Sequence, residues 1–171
     1  MGMFNSVYGI TLGSRINQFP TQSLVPFSKE LYQEVEPCGF ERMFKDEHYY
    51  TISKFNKSNQ YNLESYYDLF ETGFVSAING VIYKIAMIRF DTDKELQEKV
   101  RQGLKTEVIK FFNGTNPQMS NNGVISYSYW ENKSMNLVMQ KDPFLTGIFL
   151  TWDGLPSLNP KRRGLLDKMF T

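Results

Sequence analysis

Catalysis near neutral pH draws on a small set of side chains, and few of them occur in this sequence. It holds one histidine, His48, and one cysteine, Cys38. His48 lies in Lys45-Asp46-Glu47-His48-Tyr49 at the start of a strand-like run, where Asp46 would share its face and orient it as a general base. With no motif around it, the histidine reads as structural. Cys38 sits in Pro37-Cys38-Gly39, which matches no nucleophile signature. One His and one Cys exclude the usual zinc sets, and no Asp-rich loop has calcium spacing. No catalytic residue, metal or cofactor is therefore assigned.

Other groupings give weaker signals. Gly9-Ile10-Thr11-Leu12-Gly13-Ser14 before a short helix has the outline of a phosphate-binding turn, but lacks the lysine and third glycine of the named motifs. It reads as a strand ending in a Gly-Ser cap. Glu64, Asp68 and Glu71 stand among Tyr61, Tyr66, Tyr67 and Phe70, a mixture found in sugar-handling sites and also on solvated faces. The same tyrosine-rich, acidic segment suits a binding surface, because tyrosine gives large contact area at low entropic cost. Lys161-Arg162-Arg163 reads as a solubilising tail, since three charges attract phosphate only weakly. Sequons at Asn56, Asn113 and Asn132 are read as chance in the absence of a secretion signal.

Composition narrows the classes further. Nineteen basic and eighteen acidic residues nearly cancel, which disfavours both a nucleic-acid binder and a DNA-mimicking inhibitor. A single cysteine allows no intrachain disulfide and fits a reducing compartment. No apolar run is long enough to span a membrane, and Met1 to Ser6 lacks the pattern of a signal peptide, so a cytoplasmic location is expected. With 171 residues, the protein is most simply one domain, 1–171. Its basic end, 156–171, is expected to be loosely ordered. Fourteen Phe and ten Tyr are many for a core of this size, so some tyrosines should be exposed.

The elements that would position these residues centre on Phe74 to Gly114. Asn79-Gly80 between Phe74-Val75-Ser76-Ala77-Ile78 and Val81 to Phe90 is a strong hairpin signal. Thr92-Asp93-Lys94-Glu95 reads as a capping box with Thr92 as N-cap. Leu96, Val100, Leu104, Val108 and Phe111 or Phe112 then mark one apolar face of a long helix, about 92–112, closed by Asn113-Gly114. Gly103 inside it suggests close approach to a strand. Upstream, Val7 to Leu12 reads as a short strand or arm, and Ser14 as the cap of a helix over 15–19. Residues 20–28 read as a loop, with a helix over 28–35 capped by Ser28. A strand is expected over 40–55, and Tyr61 to Glu71 leans to strand. After a polar loop, 115–122, strands are expected over 124–130, 135–139 and 147–152, joined by short turns.

These readings give an α+β fold: a meander-like antiparallel sheet of about five to seven strands, covered on one face by the long helix, with one or two short N-terminal helices. The stretch Gly9 to Ser14 leading to Ile16 and Phe19 is similar to the opening of small bacterial repeats of the outer-membrane assembly lipoprotein and β-lactamase-inhibitor type. Those repeats follow a short helix with antiparallel strands. The match covers about a dozen residues, and the helix at Thr92 departs from that pattern.

The functional expectation is a non-catalytic protein-binding module, an inhibitor or bacterial immunity-type protein occluding a toxin or enzyme. The sheet face left bare by the helix would carry recognition, through Tyr49, Tyr50, Tyr66, Tyr67, Tyr127, Tyr129 and Trp130, rimmed by Glu64 and Asp68. One alternative is a small-ligand carrier or enzyme with a pocket between helix and sheet, lined by Tyr127, Tyr129, Trp130 and Met139. The other is a structural subunit of a phage or secretion assembly.

Overall fold

A computed structural model describes residues 3–20, 23–35, 47–53, 55 and 66–152. Cys38, Asp46, Glu64, Asn56 and the tail from residue 156, with Lys161 to Arg163, lie outside the described residues. The strands are β1 (Ser6–Val7), β2 (Ile10–Thr11), β3 (Leu24–Pro26), β4 (Glu47–Ile52), β5 (Thr72–Ile78), β6 (Val81–Phe90), β7 (Gln118–Asn121), β8 (Ser126–Glu131), β9 (Met135–Lys141) and β10 (Leu145–Trp152). The helices are α1 (Lys29–Val35) and α2 (Lys94–Phe111), with 3-10 turns at Met3–Asn5, Ile16–Gln18 and Tyr66–Leu69.

Eight strands form one antiparallel sheet in the order β3-β4-β5-β6-β10-β9-β8-β7, larger than the five to seven expected. It consists of two four-stranded meanders that meet where β10 pairs with β6, Leu145 opposite Phe90 and Thr151 opposite Lys84. The Asn79-Gly80 reversal is present, with φ of 52° and 78°, values that Asn and Gly tolerate with little strain.

Helix α2 packs Val100, Leu104, Val108 and Phe112 against Ile85, Met87, Leu137, Met139, Ile148, Leu150 and Trp130 of the sheet. Its N-cap is Asp93 rather than Thr92: the Asp93 carboxylate accepts from the Glu95 and Leu96 amides. A charged acceptor in register with the first turn displaces the expected box by one residue. At the other end Gly114 has φ of 81° and its N–H donates to the Ile109 carbonyl, the stop expected from sequence. A Cβ at Gly103 would meet nothing within 4 Å, so that glycine marks no close approach.

Other expectations shift. Tyr66 to Leu69 is a 3-10 turn, not strand, because its aromatics pack inward with Phe4 and Tyr8. The loop expected over 20–28 contains edge strand β3, and Pro26 stands there without breaking a ladder because no described strand lies beyond it. Polar β7, read as loop, forms by backbone pairing to β8. Ser14 caps no helix; its carbonyl accepts from the Ile82 N–H, while Gly13 donates to the Ile82 carbonyl. Residues 13–16 thus continue the sheet beside β6 where β10 ends. The Val7–Leu12 arm is a tight hairpin of β1 and β2. Ser28 does cap α1, its Oγ accepting from the Leu31 amide.

Candidate functional site

Cross-strand partners share a face, so the register sorts the side chains. Tyr50, Val75, Ile85, Leu150, Leu137 and Trp130 lie in one row beneath α2. The opposite face carries Tyr49, Ser76, Lys84, Thr151, Asn136 and Glu131 in one row, and Phe74, Ala86, Phe149, Val138 and Tyr129 in the next.

This second face is not bare at its centre. Tyr49, Phe74, Ala86 and Ile88 are buried there, with Phe27, Leu145 and Phe149 packed against them. The run Ile85-Ala86-Met87-Ile88 has no polar alternation, the pattern of a strand covered on both sides, and it is the signal the single-sided reading misses.

Near the Asn79 end of this face lies a buried polar network. A bulge in β6 leaves Tyr83 as an extra residue between Ile82, opposite Ala77, and Lys84, opposite Ser76. The bulge sends the Tyr83 hydroxyl to Glu47 Oε1 at 2.5 Å, and Ser76 Oγ donates to the same oxygen at 2.6 Å. Glu47 and Ser76 are fully buried and Tyr83 nearly so. Burial, then the neighbouring Glu47 charge, push the Tyr83 hydroxyl far above its ordinary pKa, so it stays a donor. The Lys84 ammonium lies 5.6 Å from the Tyr49 ring centroid. Burial lowers its pKa and the Glu47 carboxylate partly offsets this. A Glu, Tyr, Ser and Lys so grouped hold the chemistry of a proton-transfer site, but Glu47, Ser76 and Tyr83 are closed to a substrate. What the network does is fix the register of β4, β5 and the bulge. His48, paired opposite Ala77, is exposed on the other side of β4. Among the described residues no group of three His, Cys, Asp or Glu side chains is placed to hold a metal ion.

The far end of the sheet differs. Here β6 ends, β10 and β8 begin and β9 ends, and Phe90, Phe144 and Val124 are exposed. They are three of the five large exposed hydrophobic side chains among the described residues, the others being Val25 and Met119. The Asp91 N–H donates to the Phe144 carbonyl, which holds Phe144 beside the end of β6. Asp142 shapes the Phe144 turn by accepting from the Phe144 and Leu145 amides, and Asn122 shapes the Val124 turn by accepting from Val124 and Ile125. Three strand spacings, about 14 Å, separate Phe90 from the start of β8. On the α2 side of this end, Lys94, Gln97, Glu98, Val124, Ser126, Lys141, Asp142 and Pro143 line an open cleft of about 380 Å³. Glu98 there accepts from Gln102, Arg101 and Lys141, and those bonds hold its carboxyl down to about 2. No family model, curated protein or solved structure matches this sequence.

Of the nine contact residues expected from sequence, the eight that are described do not form one patch. Tyr49, Tyr66 and Trp130 are buried. Trp130 stacks on Phe112 and donates from its indole to the Thr115 carbonyl, and Tyr66 donates to the Ser6 carbonyl. Tyr50 faces α2, and Tyr67 and Asp68 are half-buried around Tyr8, whose hydroxyl donates to Asp68. Glu64 is outside the described residues. Tyr127 and Tyr129 stay half-exposed on the face away from α2. The Tyr129 hydroxyl lies 2.8 Å from Glu131 and 2.8 Å from Asn136. Because Tyr127 and Tyr129 lie on the face opposite Trp130 and Met139, those four residues line no common pocket.

Proposed function

We propose that this protein is a non-catalytic binding module that contacts a partner protein with the sheet end bearing Phe90, Val124 and Phe144. Tyr127, near the start of β8, and Tyr129 extend that surface onto the adjoining sheet face. The observation that carries the reading is that three of the five exposed large apolar side chains among the described residues lie at strand ends on one end of the sheet. Apolar residues scattered singly are ordinary, whereas a group rimmed by polar side chains marks an interaction site. The turns beneath them are fixed by Asp142 and Asn122, so little ordering entropy opposes binding. The role we assign is occlusion of a toxin or enzyme, a reading supported by the single histidine and single cysteine of the sequence.

The test is affinity capture from the native cell with the wild-type protein and with the triple variant Phe90→Ser, Val124→Ser, Phe144→Ser. A stoichiometric partner is expected with the wild type and lost with the triple variant, while Lys133→Glu at the opposite end retains it. Equal retention by the triple variant would move the surface elsewhere. Absence of any stoichiometric partner would remove the reading.

A further inference from the structure

The sequence contains three Asn-Gly steps, at Asn79, Asn113 and Asn122, and the fold treats them unequally. In such a step the glycine main-chain nitrogen can attack the carbonyl carbon of the asparagine side-chain amide. The new bond from nitrogen to carbon closes a succinimide, the carbon–nitrogen bond of the amide group breaks, and ammonia leaves with the proton shed by the peptide nitrogen. Water then opens the imide at either carbonyl, giving aspartate or isoaspartate. No oxidant or cofactor takes part. Asparagine is accordingly counted among the thermolabile residues. The reaction needs a glycine nitrogen able to lose its proton and an asparagine side chain free to rotate its amide carbon onto that nitrogen, a rotation that hydrogen bonds pinning the side chain oppose.

At Asn122 both reacting groups are occupied. The Gly123 N–H donates to Asn121 Oδ1 at 2.6 Å, and Asn122 Oδ1 accepts from the Val124 and Ile125 amides at 3.1 and 2.8 Å. At Asn113 one is occupied, because the Gly114 N–H donates to the Ile109 carbonyl at 2.8 Å. At Asn79 neither is. Both turn residues are exposed, and among the described residues neither the Gly80 N–H nor the Asn79 side chain makes a hydrogen bond. Asn79 and Asn113 share nearly the same left-handed φ, 52° and 57°. The hydrogen bond at Gly114 is what separates them.

We infer that Asn79 is the principal site of spontaneous deamidation in this protein, ahead of Asn113, with Asn122 protected. The consequence is local and structural. Isoaspartate would add a methylene to the main chain inside the two-residue turn between β5 and β6. The Gly80 carbonyl, which accepts from the Ile16 N–H at 2.8 Å, would shift, and with it the Arg15 to Val81 bridge that holds residues 13–16 to the sheet.

The experiment is ageing of the full-length protein at mildly alkaline pH, followed by peptide mapping that separates Asn, Asp and isoaspartate at each step. Conversion at Asn79 is expected several-fold faster than at Asn113, with Asn122 slowest. In urea the three rates should converge, since each has the same Asn-Gly chemistry once unfolded. Equal or faster conversion at Asn113 or Asn122 in the folded protein would overturn the inference, as would the same order persisting in urea. Asn121→Ala releases the Gly123 N–H and should accelerate conversion at Asn122; an unchanged rate there would show that these hydrogen bonds do not control the reaction.

Discussion

Glu47 is the residue whose role is least visible from its neighbours in sequence and clearest in space. One of its carboxylate oxygens takes two short hydrogen bonds from strands β5 and β6, and Lys84 stands nearby. Removing it leaves two buried hydroxyls without that acceptor and an ammonium without its counter-charge. Glu47→Ala should therefore cost about 2–4 kcal/mol, measured by urea unfolding, and Glu47→Gln somewhat less because an amide oxygen still accepts. Lys84 adds a pH signature. Its folded pKa lies below its unfolded value near 10.5, so between the two the unfolded state binds more protons. Stability should rise with pH through that window, and Lys84→Met should flatten the rise. Tyr8 makes a similar point about backbone. It sits at φ of 51° with no turn-forming side chain to excuse it, held by the Tyr67 and Phe55 rings and the Asp68 carboxylate. Its hairpin is invisible in sequence because distant residues, not Tyr8 itself, stabilise the left-handed turn.

At the scale of elements, α2 offers two contrasts. Asp93→Ala should lower stability by about 1 kcal/mol through loss of the cap, while Thr92→Ala should be close to neutral; thermal unfolding of the two variants compares them directly. The other contrast is Glu98, whose folded pKa of about 2 lies below the ordinary 4.5. A depressed carboxyl contributes stability above its unfolded pKa and loses it as pH falls through the folded one. Acid unfolding between about pH 4.5 and 2 should thus be blunted in Glu98→Gln, modestly, because Glu98 is partly exposed and its pairs are screened. The long helix and the central hairpin are readable because local periodicity and turn chemistry decide them. Strands β3 and β7 are not: one carries a proline, the other polar residues, and each exists through pairing to a neighbour. The 3-10 turn at Tyr66 escapes a sequence reading for the same reason, since its spacing fits helix and strand equally and tertiary packing chooses.

Across the whole molecule, the join of β6 to β10 makes one sheet from two meanders. Amide exchange should be slowest in β5, β6, β10 and β9, which have paired strands on both sides and buried side chains, and fast in edge strands β3 and β7. Exchange in β10 that matched the edges would indicate that the halves open separately. No described helix is long and apolar enough to cross a membrane.

The sequence by itself determined the α+β class, the Asn79-Gly80 reversal and the position of α2 within a residue or two, because each depends on residues near one another along the backbone. Tertiary structure alone decided which aromatics became surface. Tyr49, Tyr66 and Trp130 were drawn into the interior by contacts from remote segments, and Phe90, Val124 and Phe144 were left outside where strand ends meet. The order of strands sets that outcome, and no local pattern encodes which strand lies beside which.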